Sequence, residues 1–338
     1  MPPGSRSKQR SSTDNRLESV EVCAGAGGLA LGLEQAGFDP VLLLDNFEAP
    51  CKTLSLNRPT WNVQQMDLLE FDPSSDSRRL YDVDLLSAGL PRVQGSATNN
   101  RSRGSDVELE LLRATTWLVP GMQPRALLVE NLSELVEKDK YAEAREEVEK
   151  ELEHLGYDVR WFVVDASDYG VSQERPHGVL VAFKGGAGDK FRMPPVLPPP
   201  PSVGEVLRKS MASRGWPQAD DWAAQANQLA PTLVGGSWER GGPDLGPSGS
   251  KRRWATMGVN GGTIADLPPG SDFRWQPEAG PAGMVKLTVE QAALLQGFPV
   301  DWQLSGGKTS RYRQVGNATP PPVGRALGQA IREVLDAT

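Results

Sequence analysis

Gly25-Ala26-Gly27-Gly28 lies between an apolar run and a helical pattern. In that setting glycines let the main chain come close to a ligand, and the N–H groups of the helix face it. Asp45 ends the next apolar run, where an acid binds the ribose hydroxyls of a nucleoside cofactor. Asp67 is expected to end the third run and can accept from an adenine amino group. Three such loops along the carboxyl edge of one sheet describe an adenosyl site. They do not separate S-adenosylmethionine from a dinucleotide, and the glycine loop alone is compatible with an ordinary tight turn. Further polar residues gather beside later apolar runs, at Glu130-Asn131, Gln173-Glu174-Arg175 and Gly316-Asn317-Ala318-Thr319.

For these residues to meet, strands and helices must alternate. Ser19–Val22, Val41–Leu44, Asn62–Met66, Val83–Leu86, Ala126–Val129, Val159–Val164 and Val179–Phe183 read as strands. A helix is expected from the glycine loop to about Glu34, with Gly37 at a left-handed C-cap. Cys51 is expected to begin the helix after the second strand. The alternation predicts an α/β, doubly wound, Rossmann-like domain. The acidic run from Glu134 to Glu153 reads as one helix with a solvated face. From Gly185 to about Ala282 the chain is rich in Pro, Gly and Trp and has little periodicity. Trp216, Trp222, Trp238, Trp254 and Trp275 favour a small folded domain there over a linker. Leu287–Leu295 and Pro322–Val334 are helical again.

The 338 residues suffice for one large domain and a smaller one. No run approaches the roughly 18 apolar residues of a membrane span, so a soluble chain with no membrane partner is expected. Residues 1–17 are polar, basic and serine-rich, without the apolar middle of a secretory signal, and are expected to form a disordered tail. Two cysteines, Cys23 and Cys51, cannot build a disulfide framework and suit a reducing cytoplasm. With only His154 and His177 as further soft ligands, no metal site is expected. The net charge of −7 opposes binding of nucleic acid by bulk attraction. Local charge differs: Arg92 to Ser105 holds three arginines and no acid, and Lys251-Arg252-Arg253 forms a second basic cluster beside Trp254.

Val129-Glu130-Asn131-Leu132, Gln173-Glu174-Arg175, Leu295-Gln296-Gly297-Phe298-Pro299 and Gly316-Asn317-Ala318-Thr319-Pro320-Pro321-Pro322-Val323 follow the glycine loop in that order. Together the five resemble the ordered motif set of the DNA cytosine-5 methyltransferases, from about Ser19 to Val334. A dinucleotide-dependent oxidoreductase would account for the glycine loop and Asp45 and leave the last two motifs unexplained. The resemblance implies S-adenosylmethionine as cofactor, held by Cys23, Gly25, Gly27, Gly28, Asp45, Asn46, Asp67 and Asn317. It implies double-stranded DNA as partner, base flipping, and a target-recognition domain at 185–285 between the two parts, 18–184 and 286–338, of a methyltransferase-fold domain. DNA contacts are expected from Gln94, Ser96, Arg101, Arg103, Gln173, Thr232, Gly235, Gly236, Lys251 and Arg252. Ala230–Ser237 and Gly241–Pro247 look like paired DNA-reading loops, with a surface loop that has no partner as the alternative.

In that family a thiolate adds to C6 of cytosine, which makes C5 able to take a methyl group. A glutamate on N3 supports the addition, on a base flipped out of the helix. The thiolate lies in a Pro-Cys loop after the fourth strand. Here that strand leads into Ser87-Ala88-Gly89-Leu90-Pro91-Arg92, so the cysteine position is Arg92. Arginine stays protonated at physiological pH and is no nucleophile. No cysteine follows Cys51, and Cys23 stands where the family usually has an aromatic; both read as small buried residues. Glu130, Asn131 and Arg175 match the other catalytic positions, while His177 replaces a second arginine and Phe47 a polar residue. The reading is a pseudoenzyme: a methyltransferase homologue that binds DNA and S-adenosylmethionine without methylating C5. It would serve restriction-modification or defence in the bacterial cytoplasm, at the nucleoid, beside an active methyltransferase or a restriction protein. Two alternatives stay open: a methyltransferase with altered chemistry or acceptor, and an ordinary one carrying an inactivating change.

Overall fold

The computed structural model describes residues 16–76, 80–92, 105–235 and 243–338. Runs of Val, Leu and Phe become strands: β1 (Leu17–Val22), β2 (Phe38–Asp45), β3 (Val63–Gln65), β4 (Leu85–Gly89), β5 (Ala126–Leu132), β6 (Tyr157–Asp165) and β7 (Pro176–Lys184). They form one seven-stranded sheet in the order β3-β2-β1-β4-β5-β7-β6. The first five strands pair in parallel, and β7 runs antiparallel to β5 and β6. The chain moves outward from β1 through β2 to β3, then crosses back to β4 on the other side of β1. The carboxyl ends of β1 and β4 therefore lie side by side where the strand order reverses, the place where open α/β sheets bind ligands.

The helices are α1 (Gly28–Gln35), α2 (Glu48–Asn57), α3 (Ser105–Met122), α4 (Glu134–Glu137), α5 (Ala142–His154), α6 (Val203–Ala212), α7 (Ala219–Gln225), α8 (Ser248–Thr256), α9 (Val289–Leu295), α10 (Lys308–Asn317) and α11 (Pro321–Asp336). Three expectations are corrected. Cys51 is the fourth residue of α2, which begins at Glu48, an acid suited to the positive end of the helix. Asp67 lies beyond β3 and caps a short 3-10 turn by accepting from Leu69 N at 2.9 Å. The acidic run is broken rather than continuous, because Lys138 is extended between α4 and α5. Helix α5 keeps its acids outward and buries Ala144, Val148 and Leu152.

Glycines set how closely α1 and α11 can pack. A Cβ on Gly32 would lie 2.5 Å from Arg325 N and from Pro321 O, and one on Gly328 would lie 2.8 Å from the Ala36 Cβ. The motif-bearing C-terminus is thus locked against the helix that follows the glycine loop. Between β7 and α9 the described chain adds no strand to the sheet. It builds around Trp216, Trp222 and Trp254, all buried, with α6 started by a Ser202–Glu205 capping box. Its core is continuous with Ala26, Leu31, Leu295, Phe298 and Val315. Trp238 lies outside the described residues.

Gly32→Ala is expected to destabilise the protein by about 1–3 kcal/mol, since the added methyl meets backbone that cannot rotate away. Gly249→Ala, in α8 with nothing within 4 Å of its Cβ, should be neutral or stabilising by up to about 1 kcal/mol. Equilibrium urea unfolding of both variants checks the contrast.

Candidate cofactor pocket and catalytic site

The loop after β1 takes its shape from left-handed backbone. Cys23, Gly25 and Gly27 have φ of 55, 54 and 80°. Asp45, at the end of β2, holds this loop: its carboxylate accepts from Gly25 N and from Phe47 N, each at 2.9 Å. Burial raises the Asp45 pKa, and these two N–H groups oppose that rise. On the other side, Trp302 donates to Ala26 O at 3.1 Å. A Cβ on Gly28 would lie 2.0 Å from Thr319 O, so the last motif sits directly against the first.

These contacts enclose a cavity of about 560 Å³ at the ends of β1, β2 and β4. Of the residues expected to hold a cofactor, Cys23, Gly25, Gly28, Asp45, Asn46, Asp67 and Asn317 all line it. Gly27 supports the loop from behind, where its Cα faces Leu54 and Trp302. Arg313 and Glu21 are among the lining residues that carried no sequence expectation. Arg313 enters from α10, and Glu21 enters from β1. Glu21 is 1 % exposed, and its Oε2 accepts from Ser87 Oγ at 3.4 Å. A lone acid in the apolar run Val20-Glu21-Val22 was the signal that could have found it. Burial pushes its carboxyl up to about 8.

Arg92 and Pro91 close the β4 end of the cavity. Asn131 fixes this turn by donating to Pro91 O at 3.1 Å. Glu130 stands beside it, buried at the end of β5. His177 Nδ1 meets Glu130 Oε1 at 2.5 Å, and Thr319 Oγ1 donates to Oε2 at 2.6 Å. Burial pushes the Glu130 carboxyl up, but His177, Arg92 and Thr319 together pull it below the ordinary value. Burial lowers the Arg92 pKa, with Glu130 and Glu134 opposing. Neither thiol is poised to ionise. Burial, aided by Asp45, pushes Cys23 up to about 12 and Cys51 up to about 11.

Other expected site residues lie elsewhere. Arg175, 1 % exposed, donates to Leu233 O at 2.6 Å and to Gly316 O and Ala318 O at 3.0 Å, tying together three segments. Gln173 is corrected as a DNA contact. It is fully buried, donates to Gln296 Oε1 at 2.9 Å and accepts from Leu233 N at 2.7 Å, so its amide has no face toward DNA. Gly235 is buried as well, and a Cβ on Gly316 would lie 2.4 Å from its nitrogen. Thr232 is half-buried and donates to Glu174 O. Lys251 pairs with Asp244 at 2.8 Å, and Arg252 is exposed. Gln94, Ser96, Arg101, Arg103 and Gly236 lie outside the described residues. Among the described residues no group of three or more His, Cys, Asp or Glu could hold a metal, and no helix is long and apolar enough to cross a membrane.

Sheet order, glycine loop and the Glu130 cluster define a methyltransferase-fold site. The family model for C-5 cytosine-specific DNA methylases matches residues 17–333, and the chain belongs to that family. The family uses S-adenosylmethionine as methyl donor. The chain is 42 % identical over 323 residues to Type II methyltransferase M.NaeI of Lentzea aerocolonigenes, covering 95 % of this chain and 76 % of the relative. It is 37 % identical over 329 residues to Type II methyltransferase M.NgoMIV of Neisseria gonorrhoeae, covering 95 % and 98 %. The fold matches a crystal structure of Spodoptera frugiperda DNMT2 in mutant form, with a TM-score of 0.64 at 14 % identity over 94 % of this chain and 99 % of that one.

Glu21 generates a pH prediction. Its folded value of about 8 lies above the ordinary 4.5, so its protonated form favours the fold. That contribution is complete below pH 4.5 and is lost as pH rises through about 8. Glu21→Gln should therefore raise the melting temperature relative to the parent at about pH 9 and leave it nearly unchanged at about pH 5. Melting curves of the two proteins across that range read the difference.

Proposed function

We propose that this chain binds DNA and an S-adenosyl cofactor but does not methylate C5 of cytosine. The observation that carries the reading is Arg92: the turn after β4 presents a guanidinium beside Glu130, where the resemblance calls for a thiol. When bound, S-adenosylmethionine supplies an electrophilic methyl group. Gly25, Asp45 and Asp67 hold the nucleoside, and Asn131 orients the β4 turn. Glu130 lies ready for a base, yet His177, Thr319 and Arg92 already occupy its charge. Without a thiolate adding to C6, the electron density that C5 needs is not generated.

The division of labour in this reading puts the cofactor on residues 18–184 and 286–338 and DNA reading on 185–285. Support comes from the exposed Arg252 and half-buried Thr232 on that middle segment. The relatives are named Type II methyltransferases, so a role in restriction-modification or defence follows, inside a bacterial cell at its DNA. An active methyltransferase or restriction protein fits as the partner. Methyl transfer to another acceptor is the competing reading.

The test incubates the unmodified protein with tritiated S-adenosylmethionine and mixed-sequence DNA, followed by nucleoside analysis and a DNA-binding assay. DNA binding without label is expected. Labelled 5-methylcytosine above a no-protein control overturns the proposal, and label on another base supports the altered-acceptor reading.

A further inference from the structure

We propose that Arg253 is a DNA phosphate contact held in reserve by Glu174, whose carboxylate occupies the guanidinium in the place of a phosphate. The inference rests on reading the segment 185–285 as the part that binds DNA.

That segment has one run of three consecutive cations, Lys251-Arg252-Arg253 in α8. Trp254, fully buried, anchors α8 in the core and leaves the three cations toward the surface. Two of them are already paired. Lys251 meets Asp244 at 2.8 Å, and Arg253 meets Glu174 at 2.6 Å. Of the run, Arg252 alone pairs with no carboxylate among the described residues. In a chain of net charge −7, local cations must carry any affinity for a phosphate backbone, so each one that is masked counts.

The Arg253–Glu174 pair joins two parts of the fold. Glu174 precedes β7, and its main chain is zipped to the loop that carries Thr232. Glu174 N donates to Ala230 O at 2.9 Å, and Thr232 Oγ1 donates to Glu174 O at 2.7 Å. The same loop runs on to Gly235, where a Cβ would lie 2.3 Å from Asn317 Oδ1, and Asn317 lines the cofactor cavity. Arg253 thus stands beside the loop expected to read DNA, on a path of contacts that leads to the cavity. The two side chains are 41 % and 53 % exposed, and an ion pair so open to water is weak enough to exchange its partner. A phosphate that reaches Arg253 must displace the Glu174 carboxylate and then stand near a like charge. Glu174 therefore subtracts one cation from the run and lowers the affinity for any phosphate backbone, whatever its sequence.

The experiment is a fluorescence-anisotropy titration of the full chain with a labelled mixed-sequence duplex, between about 50 and 200 mM salt. Glu174→Gln should tighten binding by at least about threefold at the lower salt and steepen the plot of log affinity against log salt by about 0.9. Arg253→Met should remove that gain, so that the double variant binds within about twofold of Arg253→Met alone. Glu143→Gln, at an exposed acid on α5, removes the same net charge and should leave affinity within about twofold of the parent. Unchanged affinity in Glu174→Gln overturns the proposal. So does an equal gain from Glu174→Gln with Arg253→Met in place, which would make Glu174 a general repulsive charge. A parent and variants that all fail to bind the duplex overturn DNA binding by this chain, and the proposal with it.

Discussion

The buried carboxylate of Glu130 is the constraint around which this site is organised. A charge taken out of water is tolerated only when it is paired and hydrogen-bonded. Here one oxygen meets His177, the other accepts from Thr319, and the guanidinium of Arg92 faces the group. Three parts of the chain must arrive together to satisfy it: the start of β7, the motif before α11 and the turn after β4. Removing one such partner from a buried charge typically costs about 3–5 kcal/mol. The cluster is therefore a reason for the C-terminus to return to the sheet, and not only a set of reactive groups.

The same convergence appears in contacts to the main chain. Arg175 ties Leu233 to the carbonyls of Gly316 and Ala318. Gly28 against Thr319, and Gly235 against Gly316, bring main chains closer than any side chain permits. The family motifs are thus places where distant backbone segments touch. Their glycines allow the approach, and their buried polar side chains satisfy the groups left facing one another. Once these contacts are made, the cavity beside them is a consequence of where β1 and β4 end.

Local features were legible in the sequence. The strands declared themselves as apolar runs, and Asp45 stands at the cavity as its place after β2 implied. That this carboxylate accepts from Gly25 N and Phe47 N depends on loop geometry that no spacing encodes. Gln173 shows the opposite failure. Its motif implied a surface facing DNA, and the structure uses its amide to join Gln296 and Leu233, far away in sequence. His177 could be noticed as a replacement for an arginine, but its contact with Glu130 follows from the antiparallel register that sets it opposite Leu132. Lys138 broke an acidic helix because a charge pattern carries no information about where one helix stops and the next begins.

On the proposed reading, a site with Arg92 at the nucleophile position that keeps its buried carboxylate, its glycine loop and its motif contacts is built for binding. The direct test of that account is trapping on DNA that contains 5-fluorocytosine, with S-adenosylmethionine present, followed by a denaturing gel. Once C5 has also taken the methyl group, a C6 adduct to the fluorinated base has no C5 proton to lose, so it is not resolved and stays attached through denaturation. The account predicts that the protein migrates only at its own mass. A DNA-dependent, slower band that survives denaturation would contradict it, because some side chain would then be adding to the ring.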